Sequence, residues 1–228
     1  MPLITLVNAS RSYSLPHGPA QAIDAVDLRI EPGDYLAVAG ASGSGKSTLL
    51  NILALLDDLS AGEHWWRGAL VSGASEARRH QARNGQVGYI FQRCQLIERY
   101  TVADNIALGL NGDSGDANDR DRRVIALLAR YDLQHCASLR PSQLSLGQQQ
   151  CVAICRAAIA QPPLMLADEP TAHLDAQQAA QTLRLLSTLH QSGVTVVVAS
   201  HDASVAAHAA RIVQLAAGRI VADAAYRR

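Results

Sequence analysis

The sequence predicts an α/β fold built on a parallel sheet, and three observations carry that prediction. Short apolar runs at Tyr35–Ala39 (YLAVA), Leu164–Ala167 (LMLA) and Val194–Ala199 (VTVVVA) have the length and continuity of strands buried on both faces. Helical stretches alternate with them, the pattern of parallel βα units. Each run ends in polar residues: GASGSGKST after the first, Asp168-Glu169 after the second, Ser200-His201-Asp202 after the third. Sheets of this class place their ligands at the carboxyl ends of strands.

The elements follow in chain order. Ile4–Tyr13 and Ala22–Ile30 read as strands separated by the breaker-rich LPHGPA of Leu15–Ala20. Glu31-Pro32-Gly33-Asp34 is a turn into YLAVA, and TLLNILALL opens a helix at Thr48. Ser60–Glu63 is a second turn, and His64–Gly68 (HWWRG) reads as an exposed edge strand, its tryptophans serving packing. The opening third therefore mixes antiparallel strands with the glycine-loop unit. Val87–Gln92 (VGYIFQ) is a buried strand ending in a polar residue. Thr101–Gly109 and Asp119–Tyr131 read as helices, the second capped by Asp119 or Asn118, with the loop NGDSGDAN between them. Ser145 begins a long helical run that Gln161-Pro162-Pro163 breaks. Ala176–Gln191 is an amphipathic helix, and RIVQLAAGRIVAD is a hairpin about Ala217-Gly218.

Composition narrows the function classes. The chain has 228 residues, 48% hydrophobic and 18% charged, which argues against disorder and suits one large domain or two small lobes. Twenty basic and 20 acidic residues give zero formal charge, so no overall field draws the chain to nucleic acid. Arg78, Arg79 and Arg83 read as a solvated helix face. Cys94, Cys136, Cys151 and Cys155 form no C-x-x-C pair, and Cys151 and Cys155, one helical turn apart, read as small apolar packers in a reduced cytosolic setting. MPLITLVNAS lacks a basic n-region, and no window approaches the ~18 apolar residues of a membrane span. A membrane role would come through a partner.

Gly40–Thr48 carries the strongest chemical signal. Gly40, Ala41, Ser42, Gly43, Ser44, Gly45, Lys46, Ser47 and Thr48 fit G-x-x-x-x-G-K-[ST], the loop that cradles phosphates. The glycines let successive backbone N–H groups turn toward an anion. Lys46 supplies a point charge for β- and γ-phosphates, the Ser47 hydroxyl can ligate Mg²⁺, and the following helix adds its N-terminal dipole. In proteins with this loop, an aspartate ending a neighbouring strand serves the Mg²⁺ site, a role that falls to Asp168. Glu169, one residue on, can accept a proton from attacking water.

Leu144–Gln150 reads LSLGQQQ. With the phosphate loop and LADEP, it resembles the signature of ATP-binding-cassette (ABC) ATPases, usually LSGGQ. The resemblance covers about residues 3 to 223 and implies further roles. Gln92 matches the Q-loop glutamine, a Mg²⁺ and water contact. Asp175, in TAHLD, matches the D-loop acid, and His173 beside it is a filler. His201 matches the switch histidine on the γ-phosphate, and Tyr13 the aromatic that stacks on adenine. The implied fold is a parallel-sheet core plus antiparallel β subdomain over 1–93 and 158–228, with an inserted α-helical subdomain over 94–157. The implied activity is ATP hydrolysis with ATP and Mg²⁺, catalysed by Glu169, His201, Lys46 and Gln92, with Ser47, Gln92 and Asp168 at the metal.

The same resemblance implies a composite site. The phosphate loop of one subunit and Ser145, Gly147 and Gln148 of another would sandwich each ATP. Homodimer and heterodimer both satisfy that arrangement. The Gln92 region, GYIFQRCQLIERYTVADNI, resembles the macrolide-efflux, lipoprotein-release and bacteriocin-export subgroup. The expected function is therefore to power export, or lipid or peptide extraction, by separate membrane permease subunits. A coupling helix would enter the groove near Gln92–Thr101, with the ATPase peripheral on the inner face of the cell membrane. A soluble ABC-type ATPase in an assembly or regulatory role is the alternative. Two positions depart from the family: Leu146 replaces the first signature glycine, bringing a Cβ and bulk toward phosphate, and Cys151 replaces an arginine while Arg156 is kept.

Overall fold

The computed structural model describes residues 1–16, 18–110 and 116–225. In chain order its strands are β1 (Ile4–Leu15), β2 (Gly18–Ile30), β3 (Tyr35–Ala39), β4 (Ala61–Trp66), β5 (Ala69–Leu70), β6 (Val87–Ile90), β7 (Leu164–Asp168), β8 (Thr195–Ser200), β9 (Arg211–Ala216) and β10 (Arg219–Ala225). Its α-helices are α1 (Lys46–Leu53), α2 (Glu76–Arg83), α3 (Val102–Ala107), α4 (Ala117–Arg130), α5 (Leu146–Ala158), α6 (Ala176–Gln191) and α7 (Ala203–Ala206).

Two sheets divide the strands. One runs β10-β9-β3-β8-β7-β6, parallel throughout except for β10 at the edge, and the other is the antiparallel β2-β1-β4-β5. Register sets the functional edge of the parallel sheet. Asp168 ending β7 pairs with Ala199, Ala199 pairs with Val38, and Ala39 pairs with Ser200. The carboxyl ends of β3, β7 and β8 therefore finish level, and the polar residues that follow converge on one rim.

Three apolar cores hold this arrangement. The first joins the antiparallel sheet to one face of the parallel sheet around α1, through Leu49, Leu50 and Leu53. The second packs α6 on the opposite face through Leu183, Leu186 and Leu189. The third belongs to the helical region and gathers Val102, Ile106, Val124, Leu128, Val152 and Cys155. Helix α5 is shared, giving Ile154 and Ala158 to the second core and Cys151, Val152 and Cys155 to the third. Full burial of such a side chain stabilises the fold by about 2 kcal/mol. Cys136, Cys151 and Cys155 pack as small apolar groups, and burial pushes the Cys151 thiol up to about 11.

Several local expectations change. His64–Gly68 is not an exposed edge strand: β4 lies between β1 and β5, and His64 and Trp66 are buried. Arg67 and Gly68 both take positive φ, 48° and 81°, forming a tight hairpin that brings Ala69 and Leu70 back onto Trp66 and Trp65. Helix α4 is capped by Asp116, whose carbonyl accepts from the N–H groups of Asp119 and Arg120. Strand β6 stops at Ile90, where its last pairing with β7 ends, so Gln92 lies beyond the sheet. Asn111–Gly115 of the expected loop fall outside the described residues, whereas Ala117 and Asn118 are helical. The arginines of α2 are more committed than a solvated face: Arg79 pairs with Asp58 and Glu76, and Arg83 pairs with Glu76 and donates to the Leu55 carbonyl. The two guanidiniums hold the Glu76 carboxyl below its ordinary range.

Candidate nucleotide-binding site

The chain leaves β3 at Ala39 and turns through Gly40–Gly45 into α1. Gly45, the N-cap of α1, has φ 105°, and a Cβ there would run into the Ala22 carbonyl oxygen. Only glycine fits both demands. No side chain caps α1, which leaves its first N–H groups without a side-chain acceptor. A cleft of about 480 Å³ opens there, lined by Ala41, Ser42, Gly43, Gly45, Lys46, Ser47, Thr48, Gln92, Glu169, His201 and Ala22.

Lys46 is 6% exposed. Its Nζ donates to the Gly40 and Ala41 carbonyls at 2.8 and 3.1 Å and lies 3.5 Å from Glu169 Oε1. A buried ammonium needs such acceptors, and the loop's own carbonyls supply them. Glu169 is held still more closely. It accepts from Ser200 Oγ at 3.0 Å, its Oε1 meets His201 Nδ1 at 2.9 Å, and its backbone N–H donates to Ala199 at 2.8 Å. Its φ of 47° is a left-handed conformation that costs a non-glycine residue about 1 kcal/mol. The surrounding bonds fix that turn and aim the carboxylate into the cleft. The His201 ring is two-thirds exposed, reaching Glu169 from the solvent side.

Asp168 sits one residue back and is buried at 8% exposure. Burial raises its carboxyl above the ordinary range; the Ser47 hydroxyl bonded to it pulls the other way. Its Oδ1 is buried with no hydrogen-bond partner among the described residues.

Other sequence-predicted residues lie outside the cleft lining. Gly40 and Ser44 form the back of the loop, Ser44 buried with its carbonyl accepting from Gly218. Tyr13 sits on β1, its hydroxyl donating to Asp57. Asp175 caps α6 by accepting from the Gln178 N–H at 2.8 Å. His173 takes φ 66° in the turn before it. Ser145 caps α5: its Oγ accepts from the Gln148 N–H, and Gln148 Oε1 accepts from the Ser145 N–H. That capping box leaves the N–H groups of Leu146 and Gly147 outside it at the helix terminus. Gly147 packs on α6, where a Cβ would come within 2.7 Å of the Gln178 side chain. Leu146 is 55% exposed and has none of the positive φ that favours glycine. The backbone at 146 therefore accepts leucine without strain, contrary to the narrowing expected from its Cβ, and only the exposed bulk distinguishes it from glycine.

Sequence reasoning missed Ala22 in the cleft lining, Ser200 as a partner of Glu169, and the Asp57 contact of Tyr13. A serine beside the histidine and an acid after α1 are visible, but nothing in the local pattern sets their contacts.

Known proteins share this organisation. Residues 23–172 match the sequence profile described as ABC transporter. The chain is 39% identical over 221 residues to a macrolide export ATP-binding/permease protein MacB 2 of Yersinia pestis, covering 97% of this chain and 33% of that protein. It is 41% identical over 223 residues to MacB of Burkholderia pseudomallei, covering 97% of this chain and 34% of that one. The chain thus spans about a third of the length of these curated relatives. The ATP-binding cassette MJ0796, solved as a dimer in a post-hydrolysis state with ADP and Pi, superposes with a TM-score of 0.92 at 33% identity over 99% of both chains. Matching profile, relatives and architecture agree: the chain belongs to the ABC transporter family, as one of its ATPase cassettes.

Proposed function

We propose that the cassette binds Mg²⁺·ATP in this cleft, closes over it with a second copy of itself, and powers a membrane-spanning export machine. The observation that carries the reading is the convergence of Lys46, Ser47, Gln92, Glu169 and His201 on one cleft, with Ser145–Gln148 left outside it. The loop's amides and Lys46 would hold the phosphates, and Tyr13 would stack on the adenine. Glu169 would accept the proton of the attacking water, held in line by Ser200 and His201. His201 would turn to the γ-phosphate once ATP enters.

The residues present fit a divalent cation. Asp168 offers a buried carboxylate oxygen with no partner among the described residues, beside the Ser47 hydroxyl, and Gln92 lines the same cleft. Bound there, Mg²⁺ would offset charge on the β- and γ-phosphates. Asp168 and Ser47 would hold it, while Lys46 binds the phosphates independently.

The signature helix would complete the site in trans. Its terminus, with Leu146 exposed, would present the Leu146 and Gly147 amides to an anion held by a partner. Asp175 would lie at the same interface. MJ0796 is dimeric in its solved form, and the MacB relatives join ATP-binding and permease parts, which supports this arrangement. We assign the membrane partner to the surface near Gln92–Thr101; a groove of about 260 Å³ next to it is lined by Leu56, Tyr89, Phe91, Leu108 and Arg156 among others, and Arg156 donates to the Cys94 and Gln95 carbonyls. No described helix is long and apolar enough to cross a membrane, so attachment to the inner face would come through that partner.

Glu169→Gln tests the reading. Turnover is expected to fall at least about 100-fold while ATP still binds and an ATP-bound dimer accumulates. Wild-type turnover in that variant would remove Glu169 from the role.

A further inference from the structure

Tyr13 does not stand alone on its strand. Arg11 and Tyr13, two residues apart on extended β1, point to the same face. The Arg11 guanidinium carbon lies 4.7 Å from the centroid of the Tyr13 ring. The Tyr13 hydroxyl donates to Asp57 Oδ2 at 2.5 Å, and Arg11 Nη2 meets Asp57 Oδ1 at 2.7 Å. One carboxylate therefore holds the far end of the ring and the cation that covers one of its faces. Asp57 Oδ1 also accepts from the Asp58 N–H at 2.8 Å, which fixes the carboxylate's own rotamer.

Asp57 stands in the segment that leaves α1, the helix that Lys46 begins. The closed triangle thus ties an aromatic platform on the antiparallel sheet to the helix that carries the phosphate loop. We infer that Arg11 and Asp57 are positioning residues for the nucleobase, acting through Tyr13. This inference rests on the reading that Tyr13 stacks on the base.

Three consequences give it content. A tyrosine ring held at its hydroxyl and covered by a guanidinium has lost its side-chain freedom before ligand arrives, which lowers the ordering cost of stacking. The guanidinium occupies one face, so a base can take only the other. A cation on the near face draws ring electron density toward itself, which favours an electron-rich purine on the far face. The hydroxyl is spent on Asp57, so the ring recognises the base by stacking and not by hydrogen bonding.

The test compares ATP with inorganic tripolyphosphate, which occupies the phosphate loop without a base. Dissociation constants are measured by calorimetry for wild type, Tyr13→Phe, Asp57→Ala, the double variant and Tyr13→Ala. Tyr13→Phe and Asp57→Ala are each expected to weaken ATP about 3- to 10-fold and to leave tripolyphosphate within about twofold. The double variant is expected to match Asp57→Ala within about twofold, because Asp57→Ala already breaks the hydroxyl tie that Tyr13→Phe removes. The inference is overturned if Asp57→Ala binds ATP like wild type, if it weakens both ligands alike, or if its effect adds in full to that of Tyr13→Phe. Tyr13→Ala separates the two layers. An unchanged ATP affinity there removes the stacking reading itself, whereas a weakened Tyr13→Ala beside a normal Asp57→Ala removes only the positioning role.

Discussion

The rim that carries Lys46 and the terminus that carries Ser145, both of which we propose to bind phosphate, are built in opposite ways. At the first, a concave loop wraps a buried ammonium, and a carboxylate is held by serine, histidine and lysine. At the second, Ser145 and Gln148 satisfy one another in a capping box, and an exposed leucine stands in front. The first is a cleft with its ligand-facing groups already in its walls. The second is a finished helix end, and in the proposed reading its anion arrives on another surface. That contrast is what the proposed site, shared between two copies, would require.

The largest effect that can break this comparison comes from Ser145→Asp. Aspartate caps a helix as well as serine does, so the fold should keep its melting temperature. Its charge would face the partner's γ-phosphate, and turnover should fall about 100-fold or more with ATP affinity of the isolated chain unchanged. Loss of ATP binding by the monomer would instead put Ser145 in its own chain's cleft.

Leu146→Gly sharpens the comparison with a smaller change. The backbone at 146 needs no glycine, and the amide is present in either residue. Turnover should stay within about 3-fold of wild type, while unfolding free energy drops by about 0.5–1 kcal/mol from added chain entropy. A 100-fold rise in turnover would show that the leucine blocks the phosphate.

The smallest effect on turnover belongs to His64, which lies in neither site and serves as the outside reference. It is 2% exposed, and burial lowers its pKa to about 4, Asp58 opposing the shift. The unfolded chain binds this proton below about pH 6.5 while the folded chain does not, so stability is full above pH 6.5 and falls as pH drops toward 4. The shift corresponds to about 3 kcal/mol. His64→Gln should flatten that part of a pH–stability curve measured by denaturant unfolding and leave turnover unchanged. A slope equal to wild type would assign the acid sensitivity elsewhere.

Legibility in the sequence divides along the same line. The phosphate loop, LADEP and VTVVVAS are readable because the fold restricts residue type there: Gly45 at φ 105° admits no substitute, and the buried middles of the parallel strands are continuously apolar. Helix α6 spans Ala176–Gln191, the limits its amphipathic pattern predicts. What stayed hidden depends on long-range contacts. The Arg67-Gly68 hairpin lacks the usual Asn-Gly signal, so β4 looked like an edge. Asp57 is 44 residues from Tyr13, and Ser200 is 31 from Glu169, so no local periodicity links either pair. Leu146 looked like a backbone problem because the family motif has glycine there, yet its conformation is ordinary helix.

The shared site is tested most directly by mixing two inactive variants, Lys46→Ala and Ser145→Asp, and measuring ATP turnover once mixed dimers are confirmed by mass. Each mixed dimer would hold one site with both Lys46 and Ser145 intact, so turnover should rise clearly above that of either variant alone. Turnover no higher than in the separate variants, with mixed dimers present, would contradict a site divided between two copies.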